Sequence, residues 1–199
     1  MKKPFKILLI ILASIICLLA VAVIIGPADP IMLTEEEESQ QYEEYNEKFS
    51  NLNISGFETK DLNSEKITSD IFKDYKITMV NIWGTFCSPC VEEMPDIGKA
   101  YKNLPKGSNI IGICVDAGDD EDTVEAAQKI MKKSNADFRV LIPDDVLKKQ
   151  LLDFVTFFPT TIFVDEKGNI VGDVYNGGRS EEDYRKAIIE KLKMVENTK

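Results

Sequence analysis

Cys87 and Cys90 stand three positions apart in Cys87-Ser88-Pro89-Cys90, directly behind the apolar run Val80-Asn81-Ile82-Trp83-Gly84-Thr85-Phe86. In the first turn of a helix, residues i and i+3 share a face, so two thiols there can close and reopen a small disulfide ring with little backbone movement. The unpaired N–H groups and positive dipole end of that helix stabilise a thiolate, which lowers the pKa of the first cysteine below its free value of about 8.5. Cys87 is therefore expected to attack, and Cys90, a turn further in, to resolve the mixed disulfide. Pro89 suits the first helical turn, where a missing N–H costs nothing. Two other chemistries compete for this pair. A structural zinc site needs about four ligands, and the chain has no histidine and no second Cys-x-x-Cys. An inert structural disulfide normally closes a longer loop than two intervening residues.

The elements that must position the pair follow from hydrophobic patterning. Residues 77–83 read as a buried strand that delivers Cys87 to a helix over about 90–103. Upstream, residues 57–59 and 66–68 flank Asp61-Leu62-Asn63-Ser64 as a hairpin, and Ser69-Asp70 caps a short helix reaching Tyr75. Downstream come a strand at 110–115, an amphipathic helix at 121–134, a strand at 138–142 and a short helix at 146–152. Residues 160–164 and 170–175 form a hairpin across Asp165-Glu166-Lys167-Gly168-Asn169, and a helix over 181–195 closes the chain. This order predicts an α/β fold, a mixed central sheet flanked by helices on both faces. Cys114 reads as an apolar strand side chain.

The N-terminus adds a compartment. Residues 7–25 carry no charge and follow Lys2, Lys3 and Lys6. At a rise of about 1.5 Å per residue the run approaches the roughly 30 Å hydrocarbon thickness of a bilayer. The expected organisation is a cytoplasmic basic flank at 1–6, a transmembrane anchor or signal at 7–25, an acidic, partly helical linker at 26–52 and the folded domain at 53–199. Lysine-rich ends stay in the cytoplasm, so the domain is expected to be extracytoplasmic, held at the cell membrane by a single pass. Cleavage as a signal peptide is the competing reading; the run is longer than the usual 7 to 15 residues of a signal core. Ile15 and Ile16 before Cys17 do not suit lipid attachment. Within the linker, Thr34 and Glu37 are spaced as a capping box, with Tyr42, Tyr45 and Phe49 at helical intervals. From Asp29 on, 34 acidic side chains face 21 basic ones, a net of −13. Such a surface repels nucleic acid and anionic head groups.

The stretch from Asn81 through Cys87-Ser88-Pro89-Cys90 to Val91-Glu92-Glu93-Met94-Pro95, with Phe158-Pro159-Thr160-Thr161 some 70 positions later, resembles the thioredoxin fold. More narrowly, it resembles the membrane-anchored TlpA/ResA-like thiol-disulfide oxidoreductases, over roughly residues 53–195. The resemblance implies Cys87 as nucleophile, Cys90 as resolving thiol and Pro159 as a cis-proline opposite them. It implies that Trp83, Phe158, Pro159 and Thr160 border the client, with Phe158 offering its backbone to an extended peptide. Thioredoxin carries a buried aspartate where this chain has Asn81, which cannot exchange protons; the narrower family carries a glutamate where this chain has Glu93. Glu93 lies one helical turn past Cys90, so a desolvated carboxylate there could take that thiol's proton, and Glu92 would face solvent.

The function expected on these grounds is reduction of disulfides in exported proteins, with apocytochrome c or methionine sulfoxide reductases as clients. A membrane electron donor of the CcdA type would feed electrons to a monomeric domain, with no cofactor, no metal and no nucleic acid. Three alternatives stand beside it. A thiol oxidase would differ in potential. A peroxidase of the peroxiredoxin type would want threonine where Gly84 stands. A copper chaperone or other binding protein of the same fold would generally want a histidine ligand.

Overall fold

The computed structural model describes residues 34–197. The apolar run 7–25, Cys17 and the first part of the linker lie outside the described residues. Among the described residues no helix is long and apolar enough to cross a membrane. They fall into two units, one ending at Tyr42 and one beginning at Glu43. In the first, the capping box forms as expected: the Glu37 N–H donates to Thr34 Oγ1 at 3.2 Å, and the Thr34 N–H donates back to Glu37 Oε2 at 2.8 Å. It starts helix α1 (Glu35–Ser50). The last turns of α1 belong to the second unit. There Tyr45 and Phe49 are buried with ring centroids 5.0 Å apart, so the helix ends inside the core of the domain.

The second unit is built on one mixed sheet. Its strands are β1 (Glu58–Asp61), β2 (Lys66–Thr68), β3 (Ile77–Trp83), β4 (Ser108–Cys114), β5 (Arg139–Ile142), β6 (Thr160–Asp165) and β7 (Tyr175–Asn176). They lie in the order β2-β1-β5-β4-β3-β6-β7. β3, β4 and β5 are parallel neighbours, and the other pairings are antiparallel. The remaining helices are α2 (Ser88–Lys102), α3 (Glu121–Lys133), α4 (Asp145–Gln150) and α5 (Glu181–Asn197).

β3 shows why the sequence folds this way. All seven of its residues are buried, and alternate side chains enter opposite layers. Ile77, Met79 and Trp83 join Met94 and Ile97 of α2, Met131 of α3 and Ile188 of α5 on one face. Val80 and Ile82 join Phe49 of α1, Phe72, and Leu147 of α4 on the other. Each such side chain, fully buried, contributes about 1.5–3 kcal/mol. Asn81 belongs by alternation to the first face, a polar group in an apolar layer that must find partners there.

Two elements depart from the sequence expectation. The short helix before β3 is a single 3-10 turn, Ser69–Phe72, capped by Thr68 Oγ1. Burying Phe72 fixes that turn, and the chain then leaves for β3. The second arm of the late hairpin is interrupted. Val164 opposes Ile170 but Thr161 opposes Tyr175, so three steps on β6 face five on the returning chain. The surplus is taken up around Gly172, whose φ of +69° suits glycine.

Candidate active site

α2 begins at Ser88, earlier than the sequence pattern suggests, because Cys87 is itself the N-cap: the Cys90 N–H donates to Cys87 Sγ at 3.3 Å. Pro89 occupies the first turn, where its lack of N–H leaves no carbonyl unpaired. The same N–H that caps the sulfur would stabilise a Cys87 thiolate. Cys87 and Cys90 form a disulfide, with Cα atoms 5.2 Å apart. Cys87 is 8% exposed and Cys90 is fully buried, an asymmetry that lets an incoming disulfide reach only the first sulfur.

The loop ahead of Cys87 is pinned from the turn after β4. Asp116 Oδ1 accepts the Thr85 N–H at 2.9 Å, its Oδ2 accepts the Thr85 hydroxyl, and Oδ1 also takes the Cys114 thiol at 3.3 Å. Partial burial works against the Asp116 charge, but the Thr85 bonds outweigh it and hold the carboxyl below the usual aspartate range. Burial, then the neighbouring Asp116 charge, push the Cys114 thiol well up. Cys114 is thus an unreactive core thiol that also serves as a donor.

Across from the pair, the Phe158-Pro159 bond is cis, as the resemblance implied. The Phe86 and Phe158 rings meet edge to face at 5.9 Å, which brings the segment before Cys87 against the segment before Pro159. Of the four residues expected to border a client, only Phe158 shows surface. Trp83 and Thr160 are wholly buried, and Pro159 is buried with its carbonyl accepting the Gly177 N–H at 2.9 Å. Direct client contact by Trp83 or Thr160 is therefore corrected. Trp83 supports the disulfide from within the core, because its position on β3 turns it toward the α2 layer. The Thr160 hydroxyl is spent on Phe157 O at 2.7 Å and Asn176 Oδ1 at 3.0 Å. Phe86, 65% exposed, and Phe157, 59% exposed, present the apolar surface instead.

Glu93 is 5% exposed, one turn past Cys90, while Glu92 is exposed as expected. Its carboxylate accepts from Asn81 Nδ2 at 2.8 Å on Oε1 and from the Tyr184 hydroxyl on Oε2. Burial raises its pKa above the ordinary glutamate value, opposed by the bonds from Tyr184, Asn81 and the Arg179 N–H. Gly178 passes over it: a Cβ there would lie 3.2 Å from Glu93 Oε2. Asn81 also donates to Thr161 Oγ1 at 3.3 Å. Tyr184 and Thr161 were not anticipated. Tyr184 lies 91 positions from Glu93, and its only local sign is a hydroxyl among the inward positions of α5, beside Ala187 and Ile188. Among the described residues no group of His, Cys, Asp and Glu could hold a metal.

A dithiol pair at a strand-to-helix junction, one sulfur reachable and the other buried one helical turn before a desolvated carboxylate, defines a thiol-disulfide oxidoreductase of thioredoxin-like fold. Residues 50–172 match the AhpC/TSA family, and the chain belongs to it. The thiol-disulfide oxidoreductase ResA of Bacillus thuringiensis subsp. konkukian is 31% identical over 137 residues, 66% of this chain and 74% of that one. ResA of Bacillus subtilis is 30% identical over 117 residues, 58% and 61% of the two chains. A thiol:disulfide interchange protein of the thioredoxin family from Chlorobium tepidum TLS superposes with a TM-score of 0.60 at 23% identity, over 71% of this chain and 96% of that one. StoA of Bacillus subtilis gives 0.53 at 18% identity, over 65% and 93%. At those identities the two solved structures attest the fold, and the ResA relatives attest the enzyme class.

Proposed function

We propose that this oxidoreductase reduces disulfides in exported proteins from the outer side of the cell membrane, tethered by residues 7–25. The observation that carries the dithiol mechanism is the buried Glu93 one turn beyond Cys90, a place for the proton that Cys90 exchanges in either direction, while the redox potential decides which way the electrons run. In the reduced enzyme, the Cys87 thiolate attacks a client S–S bond, forming a mixed disulfide and releasing one client thiolate. The Cys90 thiol gives its proton to the Glu93 carboxylate, and the resulting thiolate attacks Cys87 Sγ. That step forms the Cys87–Cys90 disulfide and releases the second client thiolate, so two electrons have passed from enzyme to client. A carboxylate whose pKa burial has raised toward that of a thiol is a better base for this transfer than an exposed one. Phe86 and Phe158 supply the apolar contact, and the Phe158 backbone lies where an extended client segment would run. Electrons would return from a membrane donor of the CcdA type, and apocytochrome c or a methionine sulfoxide reductase fits the client role.

A Cys90→Ser variant, expressed with its N-terminal segment, should hold exported clients on Cys87 as mixed disulfides in the membrane fraction. The potential should lie near the roughly −270 mV of thioredoxin; a value near the roughly −120 mV of DsbA would make it an oxidase. Adducts found only on cytoplasmic proteins would overturn the location.

A further inference from the structure

Glu93 must be comfortable in two protonation states within one buried site, and its partners are not equally able to serve both. Asn81 Nδ2 can only donate, so it favours the carboxylate. Asn81 Oδ1 has no hydrogen-bond partner among the described residues and faces the cluster only if the amide turns over. A phenolic hydroxyl is different, because it donates or accepts by rotating one proton. Tyr184 meets Glu93 Oε2, and the Thr161 hydroxyl in turn interacts with the Tyr184 phenol. Thr161 also accepts from Asn81, so Asn81, Glu93, Tyr184 and Thr161 form one cluster of buried polar groups drawn from β3, α2, α5 and β6.

We propose that Tyr184, backed by Thr161, is a positioning residue that lets Glu93 take and return the Cys90 proton without moving. With Glu93 ionised, the Tyr184 O–H donates to Oε2. When the proton from Cys90 arrives, the Oε2–H donates to the Tyr184 oxygen, and the Tyr184 O–H turns to Thr161 Oγ1. No heavy atom shifts, and no proton leaves the cluster until Glu93 gives its own up. The titratable group in contact with Glu93 is the Tyr184 phenol from α5; Cys90 precedes it by one turn on its own helix. Arg179 contributes its backbone N–H from the loop before α5, its guanidinium lying 4.3 Å above the Tyr175 ring. Burial, then the Glu93 charge, push the Tyr184 phenol far up, so it stays a hydroxyl throughout. This inference rests on the reading of Glu93 as the base for Cys90.

The test is an infrared titration of the Glu93 carboxyl stretch in the reduced full-length protein, the band being assigned by its loss in Glu93→Gln. Tyr184→Phe removes a donor to the charged form and should move the midpoint to higher pH. The ionised-to-neutral ratio at fixed pH should change about tenfold, the scale of one hydrogen bond to a charged group. Replacing Tyr184 by 3-fluorotyrosine, a stronger donor of nearly the same shape, should move the midpoint the other way. Opposite signs are a signature that loosened packing would not give. A midpoint unmoved in both variants, or moved in the same direction by both, overturns the proposal. Failure of the underlying reading is a separate result: the rate of Cys90 attack would be the same in Glu93→Gln as in the wild type, whatever the infrared midpoint does.

Discussion

Asp116→Ala should loosen the loop that carries Cys87, and the structure sets the size of the effect. The substitution removes the acceptor for the Thr85 N–H, the Thr85 hydroxyl and the Cys114 thiol. Hydrogen bonds to a charged group are worth about 1.5–3 kcal/mol when buried, but Asp116 is partly exposed and water can replace some of each. Counting about 1 kcal/mol for each Thr85 bond and a few tenths for the weak S–H donor gives about 2–3 kcal/mol. With a urea m-value of about 2 kcal/mol/M for a domain of this size, the unfolding midpoint should fall by about 1–1.5 M. The sign with pH follows from linkage: the folded-state pKa of Asp116 is depressed, so its stabilisation is present above the ordinary aspartate value and is lost as pH falls through the folded value. The wild type and the variant should therefore converge in strongly acidic buffer. Amide exchange at Thr85 should accelerate in the variant. An unchanged urea midpoint at neutral pH, with Thr85 exchange unchanged, would refute the pinning of the loop.

Further outcomes follow from the same geometry. Phe86→Ser removes exposed apolar surface beside the disulfide, so KM for a protein disulfide should rise several-fold while the rate with a small disulfide is retained; equal losses on both would point to damage at Cys87 instead. Cys114 should resist alkylation in the native protein at pH 8 and react once unfolded in urea, since it is buried with a raised pKa. Glu93→Gln should gain stability relative to the wild type as pH rises. A raised folded-state pKa means that ionising Glu93 costs the fold above the ordinary glutamate value, and urea midpoints at pH 4 and pH 8 would show the divergence.

Much of the architecture could be read from periodicity. β3 and β4 are apolar runs buried on both faces, and α2, α3 and α5 follow from their spacing. The cysteine pair declared itself because its chemistry is local, three positions on one helical turn. The rest of the site depends on long-range register, which one sequence does not encode in any short pattern. Tyr184 reaches Glu93 only because α5 packs on the same face of the sheet as α2. Trp83 is buried as the strand 77–83 predicts, but neither it nor Thr160 reaches the client side, because nearness to Cys87 or Pro159 in the chain does not say which layer a strand side chain enters. The interruption at Gly172 has no clear sequence sign, because Ile170 to Tyr175 alternates well enough to pass for an unbroken strand.

The most direct test of the central claim follows a single turnover. A mixed disulfide is prepared between Cys87 and a peptide thiol, and its release by Cys90 is timed against pH in the wild type and in Glu93→Gln. If Glu93 takes the Cys90 proton, the wild-type rate should climb as Glu93 ionises, with a midpoint above the ordinary glutamate value. The variant should be slow in that range and recover only where Cys90 ionises unaided. Superimposable profiles for the two proteins would contradict the account.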